Sequence, residues 1–374
     1  MSNYNYDLGK IFEEEYAKVK KSVNKPNILI AGATGVGKSS LINMVFGDSV
    51  AVVGTGKPVT QKIDVYENED VDVRIFDSKG YELVSEIDDE FFLSVVKLAD
   101  ETKNPENAIH LIWYCIAASG GRVTDYDMAA LKAFTESEIP VAVVMTKADI
   151  ASDEDVLAMK SVLPTELKCC VFETTTKMPE YNHLKELVNW SVDKLPDSLR
   201  FAFIKSQNAD LDIKRINARR YIKQQCAVAF GVGFVPIPIS DAPLLVANEM
   251  ALIARILYLY DLGSVSDMVK SVGLSSVLGS LLTSLGKTAV ANLIKLIPGI
   301  GTVVGGVISG TVGSTITAAV GEATSVTAYG ICKARLNGDY AKADEMIKNF
   351  GSILLDAASE WIKQGKSAKD IPEE

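Results

Sequence analysis

The stretch from Ile28 to Ser40, ILIAGATGVGKSS, constrains this chain more than any other. Four apolar residues run into a glycine-rich turn that ends in a lysine and two hydroxyls. Gly32-Ala33-Thr34-Gly35-Val36-Gly37-Lys38-Ser39 has the spacing G-x-x-x-x-G-K-[ST]. Its glycines let the backbone close into a ring of inward-pointing amides that bind phosphate oxygens. The helix that follows presents free N–H groups and a positive dipole end. A strand before and a helix after are the context this pattern requires. Gly32, Thr34, Gly35, Val36, Gly37, Lys38, Ser39 and Ser40 are therefore the candidate phosphate contacts. Lys38 neutralises β- and γ-phosphate charge, and Ser39 supplies a Mg²⁺ ligand.

The surrounding pattern predicts an α/β domain. NILIA (27–31), VDVRIF (71–76), IHLIWYCI (109–116), VAVVM (141–145) and CCVF (169–172) read as strands. Most are near-continuous apolar runs, as expected of strands buried on both faces of a mainly parallel sheet. KIDVY (62–66) alternates instead, and the polar ENED separates it from 71–76, which predicts an antiparallel edge hairpin. Helical patterns occupy 38–46, 124–136, 153–162 and 181–194. Residues 1–25 hold an amphipathic helix, with Phe12, Tyr16, Val19 and Val23 on one face, ended by Pro26. After Pro196 the strand signal vanishes. The expected organisation is an N-terminal helix (1–25), an α/β domain (26–197) and an all-helical domain (198–374) that packs with the N-terminal helix.

The chain has 374 residues and a net charge of −10, which argues against wholesale nucleic-acid binding. The basic run KRINARRYIK (214–223) is one local exception, with the solvated face of a helix as its plain reading. Five cysteines, an odd number with no C-x-x-C pair, read as buried thiols of a reducing cytosol rather than a disulfide frame. His110 and His183 are the only histidines, which leaves His-based metal sites and catalytic triads without support. MSNYNYDLGK lacks the apolar stretch of a secretory signal. The expected location is the cytoplasm, with peripheral or conditional membrane association as the alternative.

VVMTKADI (143–150) names the base. Thr146-Lys147-Ala148-Asp149 follows a buried strand and resembles the [NT]-K-x-D element of GTPases. An aspartate there accepts two hydrogen bonds from guanine N1 and its exocyclic amine, a donor pair that adenine lacks. FDSKG supplies Asp77-x-x-Gly80, with Asp77 holding Mg²⁺ through water and the Gly80 amide meeting the γ-phosphate. GKPVTQKI offers Thr60 as the threonine that closes over Mg²⁺, with Thr55 as its competitor. FETTTK (172–177) resembles the [ST]-A-K element that touches the base, placing Thr175 and Thr176 there.

Together these motifs, over residues 25–196, resemble the translation-factor-related P-loop GTPases, closest to septin-like, Era-like and immunity-related members. The resemblance implies a Mg²⁺-dependent GTP-to-GDP hydrolase acting as a nucleotide-dependent switch, with Lys38, Thr60 and Gly80 at the reacting phosphate. A partner or a second copy is expected to complete the site, with a homodimer through the GTPase domain as one form of it. Two departures matter. Gly35 stands where some Era-like enzymes carry an asparagine that helps bind potassium. Tyr81 stands where Ras-like enzymes carry a water-orienting glutamine, which leaves Gln61, beside Thr60, as the candidate for that role and implies slow intrinsic hydrolysis.

The helical part contains PIPISDAPLLVANEMALI, then IPGIGTVVGG and ITAAVGEATSVTAYG, and over 200–335 resembles a YcjF-like helical domain of unknown function. Residues 296–321 carry no charge and are long enough to span a bilayer, but hold seven glycines and Pro298. Buried helices of a dense bundle and conditional membrane contact are both open. Residues 340–365 read as one amphipathic closing helix. Three functional readings follow: a regulatory GTPase that signals to an effector protein, a membrane-associated dynamin-like or immunity-related GTPase, and an RNA-linked GTPase weakened by the acidic balance.

Overall fold

The computed structural model describes residues 8–47, 57–58, 63–68, 71–78, 108–177, 182–232, 242–263 and 305–372. The chain splits into two compact units: Val23–Asp210, and Met1–Ser22 with Leu211–Glu374.

The first unit is an α/β sandwich. Strand β1 (Asn27–Ala31) is buried at all five positions and has a parallel strand on each side, as a central strand of a sheet covered on both faces does. A two-residue strand β2 (Lys57–Pro58), β3 (Ile63–Asn68) and β4 (Val71–Ser78) form the antiparallel wing on one side. Strands β5 (Leu111–Ala117), β6 (Val141–Thr146) and β7 (Val171–Glu173) run parallel on the other. The order β2-β3-β4-β1-β5-β6-β7 reverses direction at β1. In open α/β sheets that reversal opens a crevice at the strands' carboxyl ends, where ligands bind. The residues Gly32–Gly37 leave β1 at that point.

Helix α1 (Leu8–Ser22) opens the chain, and α2 (Lys38–Phe46) follows β1. Helices α3 (Asp125–Glu136), α4 (Asp153–Val162), α5 (Leu184–Lys194) and α6 (Asp197–Ser206) complete the α/β unit. The starts of α3 and α4 are chemically fixed. Thr124 accepts from the Asp127 amide while the Asp127 carboxylate accepts from the Thr124 amide, and Ser152 caps α4 through the Asp155 amide. Buried Tyr114 on β5 donates to the same Asp127, 2.8 Å away, joining the cap to the sheet. At the far end of α2, Phe46 stacks on Trp113 of β5 with ring centroids 5.9 Å apart, and Phe203 of α6 meets both edge-on. The Trp113 indole donates to Ser191 Oγ at 3.1 Å, so its polar edge is satisfied in the core.

Helix α6 corrects the expected boundary near 197. Ser206 Oγ accepts from the Asp72 amide at 2.8 Å, and the Lys205 ammonium lies 3.4 Å from the Asp72 carboxylate, all three residues being buried. A helix that neutralises a buried carboxylate of β4 belongs to the sheet's unit, and the division falls after Asp210.

The second unit contains α1, α7 (Leu211–Val232), α8 (Ala242–Leu259), α9 (Gly305–Leu336), α10 (Tyr340–Lys348) and α11 (Phe350–Lys363). The apolar face of α1 lies on α8: Phe12 is fully buried, and Tyr16 meets Tyr258 edge-on at 5.2 Å. Helix α9 is the axis. A Cβ on Gly321 would sit 2.7 Å from Ile222 of α7, so glycine permits the close crossing. Of the uncharged run, 305–321 is the first half of α9, with Thr315–Val320 buried; 296–304 lies outside the described residues. Among the described residues no helix is long and apolar enough to cross a membrane. Two expectations change here. The closing helix is two helices, because Asn349 ends α10 and its carbonyl opens α11. KRINARRYIK is not a solvated face: Lys214 is fully buried, Arg215 stacks over Tyr329, and Arg219 Nε lies 3.5 Å from the buried Glu322 of α9. Arg215 and Arg219 turn inward toward a carboxylate about a hundred residues downstream, while Arg220 stays exposed.

Glu249 of α8 is buried beside Thr317 of α9, whose hydroxyl donates to it at 2.6 Å. Burial pushes its carboxyl up to about 7, against the opposing hydrogen bonds of Thr317 and Asn248. Between the ordinary value of 4.5 and about 7, the folded chain holds a proton that the unfolded chain releases. Stability therefore falls as pH rises through that window, by roughly 3 kcal/mol in total. Thermal unfolding at pH 5 and pH 8 should show this loss in wild type, and Glu249→Gln should remove most of it.

Candidate functional site

The site is built from three loops at the carboxyl ends of β1, β6 and β7. The first is Gly32–Gly37. Gly32 has φ +139°, and a Cβ there would stand 2.3 Å from the Cys115 carbonyl oxygen, so only glycine fits between β1 and β5. Gly37, at φ +110°, sets the left-handed turn from which α2 starts. Thr34, Gly35, Ser39 and Ser40 are exposed, with Ser39 and Ser40 in the first turn of α2. Lys38 is buried, and its ammonium donates to the Gly32 oxygen at 2.9 Å and the Ala33 oxygen at 3.2 Å. It is held over its own loop.

The second loop, Thr146–Asp149, is tied to the first by two side chains. The Thr146 hydroxyl donates to the Val36 carbonyl oxygen, 110 residues away in sequence. Lys147 takes the left-handed conformation at φ 56°, unusual for a residue with a Cβ, and its ammonium donates to the Gly35 oxygen at 2.7 Å. The third loop supplies Thr175, which is buried and donates to the Asp149 carboxylate at 2.7 Å, while the Lys177 amide donates to Thr175 Oγ1. The Thr174 amide donates to Met145 and its carbonyl accepts from Ala148, which fixes the second and third loops side by side. Asp149 is thus aimed by backbone and side chain together. Thr176 is exposed, so Thr175 is the threonine that reaches the aspartate.

Asp77 stands at the end of β4, in register with Ile30 of β1. Buried Cys115 feels both flanks of the site. Burial pushes its thiol up to about 12, the Lys38 ammonium draws it down, and Asp77 adds to the rise. It is an uncharged floor beneath the loop. Thr55, Thr60, Gln61, Gly80 and Tyr81 lie outside the described residues. Among the described residues no group of three or more His, Cys, Asp or Glu could hold a metal ion. The oxygen donors at Ser39 and Asp77 nonetheless fit Mg²⁺, which takes one or two protein oxygens and completes its shell with phosphates and waters. Both histidines are structural: His110 Nδ1 accepts from the Asn27 amide at 2.9 Å, and His183 Nδ1 accepts from the Glu173 amide at 3.4 Å. The backing role of Cys115 had no signal in the sequence, because it is exercised through a main-chain oxygen.

Residues 27–147 match the family model described as 50S ribosome-binding GTPase. This segment is a P-loop GTPase domain. The neuronal-specific septin-3 of Danio rerio is 22% identical over 247 residues, covering 59% of this chain and 66% of the septin. The GTPase Era of Caldicellulosiruptor saccharolyticus is 26% identical over 143 residues, covering 37% of this chain and 45% of that protein. The chain therefore spans about two thirds of one relative and under half of the other. A crystal structure of a probable GTP-binding protein, engB, is 22% identical over 45% of this chain and 97% of its own, with a TM-score of 0.33.

The Thr175–Asp149 bond fixes the direction of the Asp149 carboxylate. Thr175→Val should lower GDP affinity about tenfold, the worth of one hydrogen bond to a charged group, and leave the circular dichroism spectrum unchanged. Isothermal titration checks it.

Proposed function

We propose that this chain binds GTP with Mg²⁺ and hydrolyses it to GDP and phosphate, working as a nucleotide-dependent switch. One observation carries the reading: the Thr146, Lys147 and Thr175 contacts lock a carboxylate of the base-reading type onto a phosphate loop. Guanine meets Asp149 through N1–H and its exocyclic amine. The amides of residues 33–39 and the α2 dipole bind the phosphates. Lys38 exchanges its two loop carbonyls for β- and γ-phosphate oxygens, so its position is prepared before nucleotide arrives. Ser39, Asp77 and Thr60 would hold Mg²⁺, which when bound neutralises charge on the β- and γ-phosphates. Thr60 and Gly80 would contact Mg²⁺ and the γ-phosphate in the GTP state only, which makes the state readable by an effector or a second copy.

With Gly35 in the phosphate loop and Tyr81 after Gly80, this chain lacks the groups that relatives use to speed hydrolysis. The isolated protein is therefore slow, and a partner or a second copy completes the site. Single-turnover hydrolysis should rise with protein concentration, and Lys38→Ala should abolish both binding and turnover. A fast rate independent of concentration would contradict the need for a second copy. Turnover of ATP equal to that of GTP would contradict the base assignment.

A further inference from the structure

Two adjacent thiols stand apart from the residues described above. Cys169 and Cys170 lie between the short turn Thr165–Leu167 and β7, with their sulfurs 3.5 Å apart. The sequence pattern places them inside a strand as buried thiols; in the structure β7 begins only at Val171, Cys169 is exposed and Cys170 is half-buried. Of the other cysteines, Cys115 and Cys226 are buried and Cys332 is half-buried. Burial pushes Cys115 and Cys226 up to about 12 and raises Cys332 as well. Burial also raises Cys170, as does the neighbouring thiol, against the Trp190 indole and Lys194. Cys169 is the thiol that a solute reaches first.

We propose that Cys169 and Cys170 form a reversible oxidation site whose disulfide loosens the base-reading loop. A hydroperoxide is the oxidant. The Cys169 thiolate attacks a peroxide oxygen, the O–O bond breaks, and a sulfenic acid remains while water or an alcohol leaves. The Cys170 sulfur then attacks the Cys169 sulfur. The S–S bond forms, the S–O bond breaks, and the Cys170 proton leaves with the hydroxyl as water. Two thiols lose two electrons and two protons to one peroxide.

Chain geometry links this bond to β7. Adjacent α-carbons lie about 3.8 Å apart, whereas an unstrained disulfide spans roughly 4.4–6.8 Å. Ring closure must therefore twist the Cys169–Cys170 peptide. That peptide's N–H donates to the Leu167 oxygen at 2.9 Å, and the Cys170 carbonyl accepts from the Val143 amide at 2.9 Å, where the β6–β7 ladder begins. The other end of the three-residue β7 leads to Thr174 and to Thr175, which holds Asp149. A twist at the start of so short an edge strand reaches its end. A disulfide so constrained is easily reduced, which suits a regulatory bond.

The effect on nucleotide rests on the guanine-binding reading; the oxidation does not. The full chain is treated with hydrogen peroxide and then assayed by peptide mass, amide exchange and fluorescent GDP binding. The peptide spanning 169–170 should lose two hydrogens, recovered with dithiothreitol. Exchange at residues 171–174 should quicken, and GDP affinity should fall about tenfold, the worth of the Thr175–Asp149 bond. Cys169→Ser should keep its affinity under the same treatment. Absence of the two-hydrogen loss overturns the proposal, as does a disulfide that leaves amide exchange and affinity unchanged. Failure of untreated protein to bind GDP would overturn the guanine reading instead, with mass and exchange still deciding the thiols.

Discussion

The site depends on one close approach, that of the phosphate loop to the ends of β5 and β6. Gly32 passes against the Cys115 carbonyl with no room for a Cβ, and the Thr146 hydroxyl reaches across to Val36. These two contacts set the distance between the Gly32–Gly37 loop and the Thr146–Asp149 loop. Lys147 and Thr175 then follow, because each lies one or two residues from a strand end that the sheet has already fixed. The parallel order around β1 supplies the frame, and the Phe46–Trp113–Phe203 cluster keeps α2 seated on it. A polar site on exposed loops thereby rests on an apolar core that does not have to move.

The helical unit uses the opposite economy. Its long axis helix α9 buries Thr317, Glu322, Thr324 and Ser325 rather than a purely apolar stripe. Arg219 faces Glu322, and Thr317 holds Glu249, so the helices match in register as well as in shape. Buried pairs of this kind add little net stability but make misaligned packing costly, since a shift of one helix strands a charge.

Much of the α/β unit is legible in the sequence, for local reasons. NILIA, the helix 38–46 and the hairpin 63–78 each carry their own period and punctuation. Asp149 follows from a tetrapeptide at a strand end. What escapes the sequence is long-range. Ser206 and Lys205 meet Asp72 at a separation of more than 130 residues, so the unit boundary is displaced from Pro196 to Asp210. The cations of 214–223 look like a solvated face until Glu322 appears on α9. Three consecutive threonines, 174 to 176, offer no local way to choose; the ladder from β6 turns Thr175 inward and leaves Thr176 in solvent.

The central claim is that Asp149, aimed by Thr175 and braced through Lys147, selects the base. Wild type and Asp149→Asn should be titrated with GDP and with xanthosine diphosphate, whose ring presents an acceptor where guanine presents an amine. The account predicts that wild type prefers GDP and that the variant reverses the preference. A variant that keeps its preference for GDP would contradict it.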